Sequence, residues 1–266
     1  MMDNSTAAIG MFDSGLGGLT VMHQLVQALP NEEVIYFGDT ARLPYGDKSP
    51  ETIIRYSIEN AIFLIEQKIK MLVVACSTAT SHALDHLQQT FNIPIIGAIE
   101  PGAEQATKTS KNERIAVLGT KGTISSRSYE KALLARNPKA YVLPIACPLF
   151  VPLVEEHFVK HPAAQLIVHE YLKVIKDHRI DTLILGCTHY PLLKNLIAAE
   201  VGEHITIIDS AAACATYAAS LLSDKGLLRH SSEVVQHRYF VSDDPHRFQM
   251  LGREFLGLPI DHVHLK

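Results

Sequence analysis

Twice in this chain an apolar run stops at a small residue and a cysteine, and hydroxyl-bearing residues follow. The first instance is Met71-Leu72-Val73-Val74-Ala75-Cys76-Ser77-Thr78. The second is Thr182-Leu183-Ile184-Leu185-Gly186-Cys187-Thr188-His189. Each run reads as a short buried strand leading into a helix start. A strand that stops there carries its thiol to the strand's carboxyl end, the edge of an open α/β sheet where ligands bind. Two thiols in matching settings, one in each half, predict one site with a reactive sulfur on either side.

The rest of the chain keeps the same alternation. Residues 7–12, 34–37 and 93–99 read as strands, and 19–29 as a helix stopped by Pro30. Ser49-Pro50-Glu51 opens another helix, with proline at the favoured first position. Strand–helix alternation is the mark of a parallel sheet covered by helices. Glu100-Pro101-Gly102-Ala103 is the expected crossing point, after which the pattern restarts. Strands are expected at 114–119, 140–144, 182–185 and 205–208, and helices at 123–135, 150–157 and 163–177. An alanine-rich helix, a strand at 238–241, a polar loop and a last helix complete the chain. The fold class expected is α/β.

Composition narrows the function. The chain has 266 residues, is 47% hydrophobic and carries a net charge of −4 with no long run of one sign. That is enough apolar residue for a sizeable core, and the charge argues against a nucleic-acid surface. The first eight residues lack a basic, apolar leader, and no apolar run reaches the roughly 18 residues of a membrane span. Four scattered cysteines, with no CxxC pair, fit neither a disulfide framework nor a zinc site. A reducing cytoplasm is the expected setting.

Asp13-Ser14-Gly15-Leu16-Gly17-Gly18 forms a glycine-rich strand-to-helix turn. Thr20 stands where a dinucleotide fingerprint needs its third glycine, and Asp13 repels a pyrophosphate. A carboxylate beside hydroxyl and backbone N–H groups suits a zwitterion better. Helix amino termini lower a thiol's pKa, and both Cys76 and Cys187 are expected to benefit. His189 can share a proton with Cys187 or with substrate. Cys147 and Cys214 sit in apolar or helical surroundings and read as core. Two opposed thiols suit a two-base reaction: one sulfur takes a proton from carbon, and the other returns one to the opposite face. A cysteine hydrolase needs only one thiol and a base.

These motifs together resemble glutamate racemase, of the aspartate/glutamate racemase family. Residues 9–18, Tyr36-Phe37-Gly38-Asp39, Pro44-Tyr45-Gly46, Ala75-Cys76 with Thr78, and the stretch 185–191 carry the likeness. Glu100-Pro101-Gly102, the stretch 147–155 and Val241-Ser242-Asp243-Asp244-Pro245 extend it over nearly the whole chain. The resemblance implies a cofactor-independent isomerase that interconverts L- and D-glutamate for peptidoglycan synthesis. It implies two α/β domains of similar architecture with the active site between them, 1–98 plus 208–266 and 99–207. It assigns Cys76 and Cys187 as the acid/base pair, the first acting on the D-isomer and the second on the L-isomer. Asp13, Ser14, Tyr45, Gly46, Thr78, Thr188 and His189 become substrate contacts or helpers, and Glu155 matches an acidic position near the site. Backbone amides and hydroxyls at Ser14, Ser77, Thr78 and Thr188 are expected to bind the carboxylates. Asp13 and His189 are expected to manage the ammonium and the protons. Glutamate is the expected small-molecule partner; no metal, membrane or direct nucleic-acid partner is expected, and a homodimer is left open. One departure stands out: the family reads Cys-Asn-Thr where this chain has Cys76-Ser77-Thr78. That serine keeps two alternatives in view, a racemase of aspartate or a related amino acid, and a non-catalytic amino-acid-binding or regulatory protein.

Overall fold

The structure, a computed structural model, describes residues 4–231 and 234–266; Met1–Asp3, part of the stretch on which the expectation of no leader rests, and residues 232–233 lie outside it. In chain order β1 (Ile9–Asp13), α1 (Leu19–Ala28), β2 (Val34–Gly38), α2 (Pro50–Glu66), β3 (Met71–Val74), α3 (Ser77–Thr90) and β4 (Ile95–Gly97) form the first run. Then come α4 (Ile99–Thr109), β5 (Arg114–Gly119), α5 (Lys121–Ser125), α6 (Ser128–Arg136), β6 (Tyr141–Ala146), α7 (Phe150–Glu155) and α8 (Pro162–Leu172). The chain continues through β7 (Thr182–Leu185), α9 (Lys194–Val201), β8 (Thr206–Asp209) and α10 (Ser210–Asp224). It ends with β9 (Arg238–Val241), α11 (Pro245–Leu256) and β10 (Val263–Leu265).

The strands make two sheets, ordered β10-β9-β2-β1-β3-β4 and β6-β5-β7-β8, and every strand pairing is parallel. Thus β3 and β7, the strands that lead to Cys76 and Cys187, lie inside different sheets. The central strands are buried along their whole length, and mostly apolar, because helices cover both faces. One core runs from Ile9 and Met11 under the first sheet to Leu185 and Leu193 under the second. The helix α10 joins the halves by packing on both α1 and α4. No helix among the described residues is long and apolar enough to cross a membrane.

Several expectations shift in detail. The expected crossing at Glu100–Ala103 lies inside α4, whose first turn tolerates Pro101 because N–H groups there have no helical partner. The helix expected over 123–135 is broken at Arg127, which adopts a left-handed conformation (φ 58°) between α5 and α6. The division expected at 207/208 cuts through β8, where Asp209 still pairs with Leu185 of β7. Pro144, the expected strand end, lies inside β6; this is an edge strand, where a missing N–H costs little. The terminal strand β10 was not expected; at three largely exposed residues its alternation is too short to stand out in sequence.

Candidate active site

The carboxyl ends of strands from both sheets converge on one pocket. It is a narrow gap between Ser14, residues 43–46, Cys76-Ser77-Thr78, Thr120, Val151, Glu155 and Cys187-Thr188-His189. Cys76 and Cys187 come from opposite sheets and are 6% and 8% exposed. Of the residues expected from sequence, Ser14, Tyr45, Gly46, Cys76, Ser77, Thr78, Glu155, Cys187, Thr188 and His189 line it. Asp13 does not. It is fully buried behind the wall, where Oδ2 accepts from Gly15 N–H at 3.0 Å and Oδ1 from the Thr188 hydroxyl at 3.4 Å.

The two thiols are held differently. Cys76 caps α3: its Sγ accepts from Ala79 N–H at 3.4 Å and donates to Ser14 Oγ at 3.7 Å. A helix start was expected to lower this thiol's pKa. Instead burial, reinforced by the charge of Asp13, pushes it up to about 12, outweighing the Ala79 and Ser14 contacts. The Asp13 carboxyl is itself raised by burial, against the opposing pull of His189.

Cys187 has no α-helix behind it, contrary to expectation. Tyr190 N–H bonds to the Cys187 carbonyl at 3.1 Å, and the next position that would close an α-helical turn is Pro191, which has no N–H. The chain therefore tightens into a 3₁₀ turn over Tyr190–Leu193, and α9 starts only at Lys194. The thiol's partner is His189, with Nδ1 at 3.8 Å from Sγ, and His189 Nε2 lies 2.9 Å from Glu155 Oε1. Burial alone lowers the imidazole's pKa, but the bonds to Cys187 and Glu155 carry it up to about 10.

The glycine-rich turn serves close packing. A Cβ on Gly17 would lie 2.3 Å from Thr188 Oγ1 and 2.5 Å from the His189 ring, so only glycine lets this loop meet the opposite half. Thr20 Oγ1 completes that contact by donating to the Thr188 carbonyl at 2.8 Å. Tyr45 reaches the pocket with its hydroxyl already engaged: it donates to Asp39 and accepts from Asn60 Nδ2 at 3.1 Å. The same Asp39 takes Arg42 Nε at 2.8 Å and Ser242 Oγ at 2.9 Å, which fixes the loop carrying residues 43–46.

Sequence reasoning missed Thr120. Its hydroxyl lies 2.9 Å from Thr78 Oγ1 and accepts from Thr123 N–H at 3.2 Å, bridging the two halves at the pocket. The available signal was its place directly after β5, the same carboxyl edge that marks the cysteines. Leu43, Pro44 and Val151 also line the pocket; Pro44 and Val151 lie in stretches that carried the family likeness, whereas Leu43, an apolar loop residue, carried no signal.

Two thiols facing one small pocket, each with its own hydrogen-bonding group, define an acid/base enzyme that takes a proton from carbon and returns one. The chain belongs to the Asp/Glu/hydantoin racemase family, whose model matches residues 9–218. A curated glutamate racemase of Geobacter metallireducens is 51% identical over 257 residues, covering 97% of this chain and 95% of that protein. A glutamate racemase isoform from Bacillus anthracis superposes with a TM-score of 0.95 at 40% identity, covering 98% of each chain. The Francisella tularensis enzyme, solved in complex with D-glutamate, superposes at 0.93 with 37% identity and 98% coverage of each.

Proposed function

We propose that this chain is a glutamate racemase that works by two-thiol acid/base chemistry and supplies D-glutamate for peptidoglycan. The observation that carries the reading is the placement of Cys76 and Cys187 on opposite sides of one pocket, in a chain that matches glutamate racemases along nearly its whole length. We divide the chain at its two crossings, 1–98 plus 210–266 and 99–209, with the site between. Its four cysteines are free and buried, which suits a reducing cytoplasm.

For L-glutamate, the Cys187 thiolate takes the α-proton: the Cα–H bond breaks, an S–H bond forms, and the electron pair stays on the Cα–carboxylate unit. Cys76 enters as the thiol, since burial keeps its proton on, and delivers that proton to the other face. His189, protonated near neutrality and held by Glu155, sets a positive charge beside Cys187. In the reverse direction Cys76 is the base, and the Ala79 N–H and the positive end of α3 receive its charge. The α-carbon is a far weaker acid than a thiol. Fixed donors around the substrate carboxylate, drawn from Ser14, Thr78, Thr120 and Thr188, must therefore stabilise the carbanion-like state. Asp13 acts from behind, through Gly15 and Thr188, by holding the pocket wall.

Circular dichroism on L- and D-glutamate and on both aspartates, with no cofactor added, tests the reading. Both glutamate isomers should decay to zero signal. Faster turnover of aspartate would reassign the substrate, and binding of glutamate with no decay would make the protein a binder.

A further inference from the structure

Asn60 lies on α2, outside the pocket, and is fully buried. Its side chain closes a ring of hydrogen bonds with Arg42, Asp39 and Tyr45. Arg42 donates Nη2–H to Asn60 Oδ1 at 2.9 Å, and Asn60 Nδ2 lies 3.1 Å from Tyr45 Oη. Tyr45 donates to Asp39, whose carboxylate also takes Arg42 Nε at 2.8 Å. The directions follow from counting protons. A guanidinium only donates, so Asn60 turns its oxygen to Arg42 and its amide nitrogen to Tyr45. Tyr45 therefore accepts from Asn60, spends its one proton on Asp39, and has none left to give a bound ligand.

Arg42 and Tyr45 bracket Leu43 and Pro44, and the whole segment 43–46 lines the pocket. Only a single 3₁₀ turn, Tyr45–Asp47, gives this segment backbone structure of its own. Its far end meets the other half of the molecule. A Cβ on Gly46 would lie 2.9 Å from Thr120 Cβ, and one on Gly122 would lie 3.1 Å from the Gly46 carbonyl oxygen. The outer side of Arg42 is held by Glu59 and by the Tyr56 ring at 4.1 Å, both on α2. Helix α2 thus fixes one wall of the pocket through side chains alone.

We propose that Asn60 is a positioning residue for amino-acid binding. Through Arg42 and Tyr45 it holds segment 43–46 against the other half, so that this wall is already ordered when the amino acid enters. The hydroxyl of Tyr45, a residue expected from sequence to contact or assist the substrate, serves as a member of the ring. The inference rests on the amino-acid substrate proposed above.

Wild type, Asn60→Leu, Tyr45→Phe and the double variant form the test. D-glutamate affinity is read by calorimetry, and KM and kcat by circular dichroism. Asn60→Leu keeps the side chain's shape but breaks the ring. Affinity should fall and KM rise about 3- to 10-fold, with kcat staying within about twofold. Tyr45→Phe should do the same alone and add less than about twofold beside Asn60→Leu. Arg42→Gln breaks the ring from its partly exposed outer side, and it replaces Asn60→Leu in the cycle if the core variant does not fold. A ring variant that binds like wild type, or a Tyr45→Phe effect undiminished in the double variant, overturns the inference. In an enzyme that still racemises glutamate, that result removes the positioning role and leaves the activity standing. Masked effects on binding without turnover do the reverse, and a wild type that does not bind glutamate removes both.

Discussion

Cys76 and Cys187 follow equivalent strands of two parallel sheets, yet their protons are controlled by different means. Around Cys76 the control is backbone and burial: a helix cap, a serine hydroxyl, and a buried carboxylate that opposes ionisation. Around Cys187 a proline denies the helix, and a histidine–glutamate pair takes its place. Shared topology brings each sulfur to the same edge of its sheet. The acid/base character of each is then set by the side chains that the local turn brings within about 4 Å. The raised pKa of Cys76 keeps its proton on near neutrality, as the thiol partner of the proposed two-thiol reaction requires.

The strongest break in the pairing is removal of either sulfur. Cys76→Ala and Cys187→Ala should each lower racemisation by at least about 10²–10⁴-fold, as loss of an acid/base group does. Polarimetry or circular dichroism checks this, with far-ultraviolet spectra to confirm the fold.

Glu155→Gln touches one side only and should lower kcat/KM by about tenfold or more. Because the two isomers are mirror images with an equilibrium constant of one, kcat/KM must fall equally in both directions. The asymmetry appears elsewhere: the primary isotope effect with α-deuterated L-glutamate should rise more than that with the D-isomer. Without Glu155, the His189 pKa of about 10 should drop, and the alkaline limb of the pH–rate profile should move to lower pH. An unmoved limb would mean that His189 is not the group titrating there.

The same pair has a stability signature. The folded pKa of His189 lies above its unfolded value of about 6.5, so the folded state binds the proton more tightly. The resulting stabilisation is complete below about pH 6.5 and is lost as pH rises through about 10. Thermal melts from pH 6 to 10 should show a falling Tm in wild type and a flatter curve in Glu155→Gln.

The weakest expected effect concerns the surface ties between the halves. Arg247 on α11 meets Glu156 at 3.3 Å, and both side chains are exposed. Arg247→Gln should change stability by less than about 1 kcal/mol, measured by urea melts. A larger loss would show that this contact, and not the buried core around α10, holds the halves together.

The alternating strands and helices were legible because parallel strands covered on both faces are continuously apolar, and the residues after β1, β3 and β7 stood out against them. The acid/base settings were not legible. That Pro191 would forbid an α-helical turn at Cys187 follows from its missing N–H, but the resulting 3.8 Å contact with His189 depends on how the turn closes. The thiol shift at Cys76 was read with the wrong sign because helix position is visible in sequence and depth of burial is not. The Tyr129–Ser210 hydrogen bond joins residues 81 positions apart on two different helices, and no local pattern announces it.

The division of labour between two sulfurs is tested most directly in heavy water. Either isomer of glutamate is incubated with the enzyme in D₂O, and both isomers are recovered early in the reaction. Two separate bases predict product carrying one solvent deuterium at Cα and remaining substrate carrying none, in both directions. Deuterium accumulating in unreacted substrate as fast as product forms would mean that a single group removes and returns the proton.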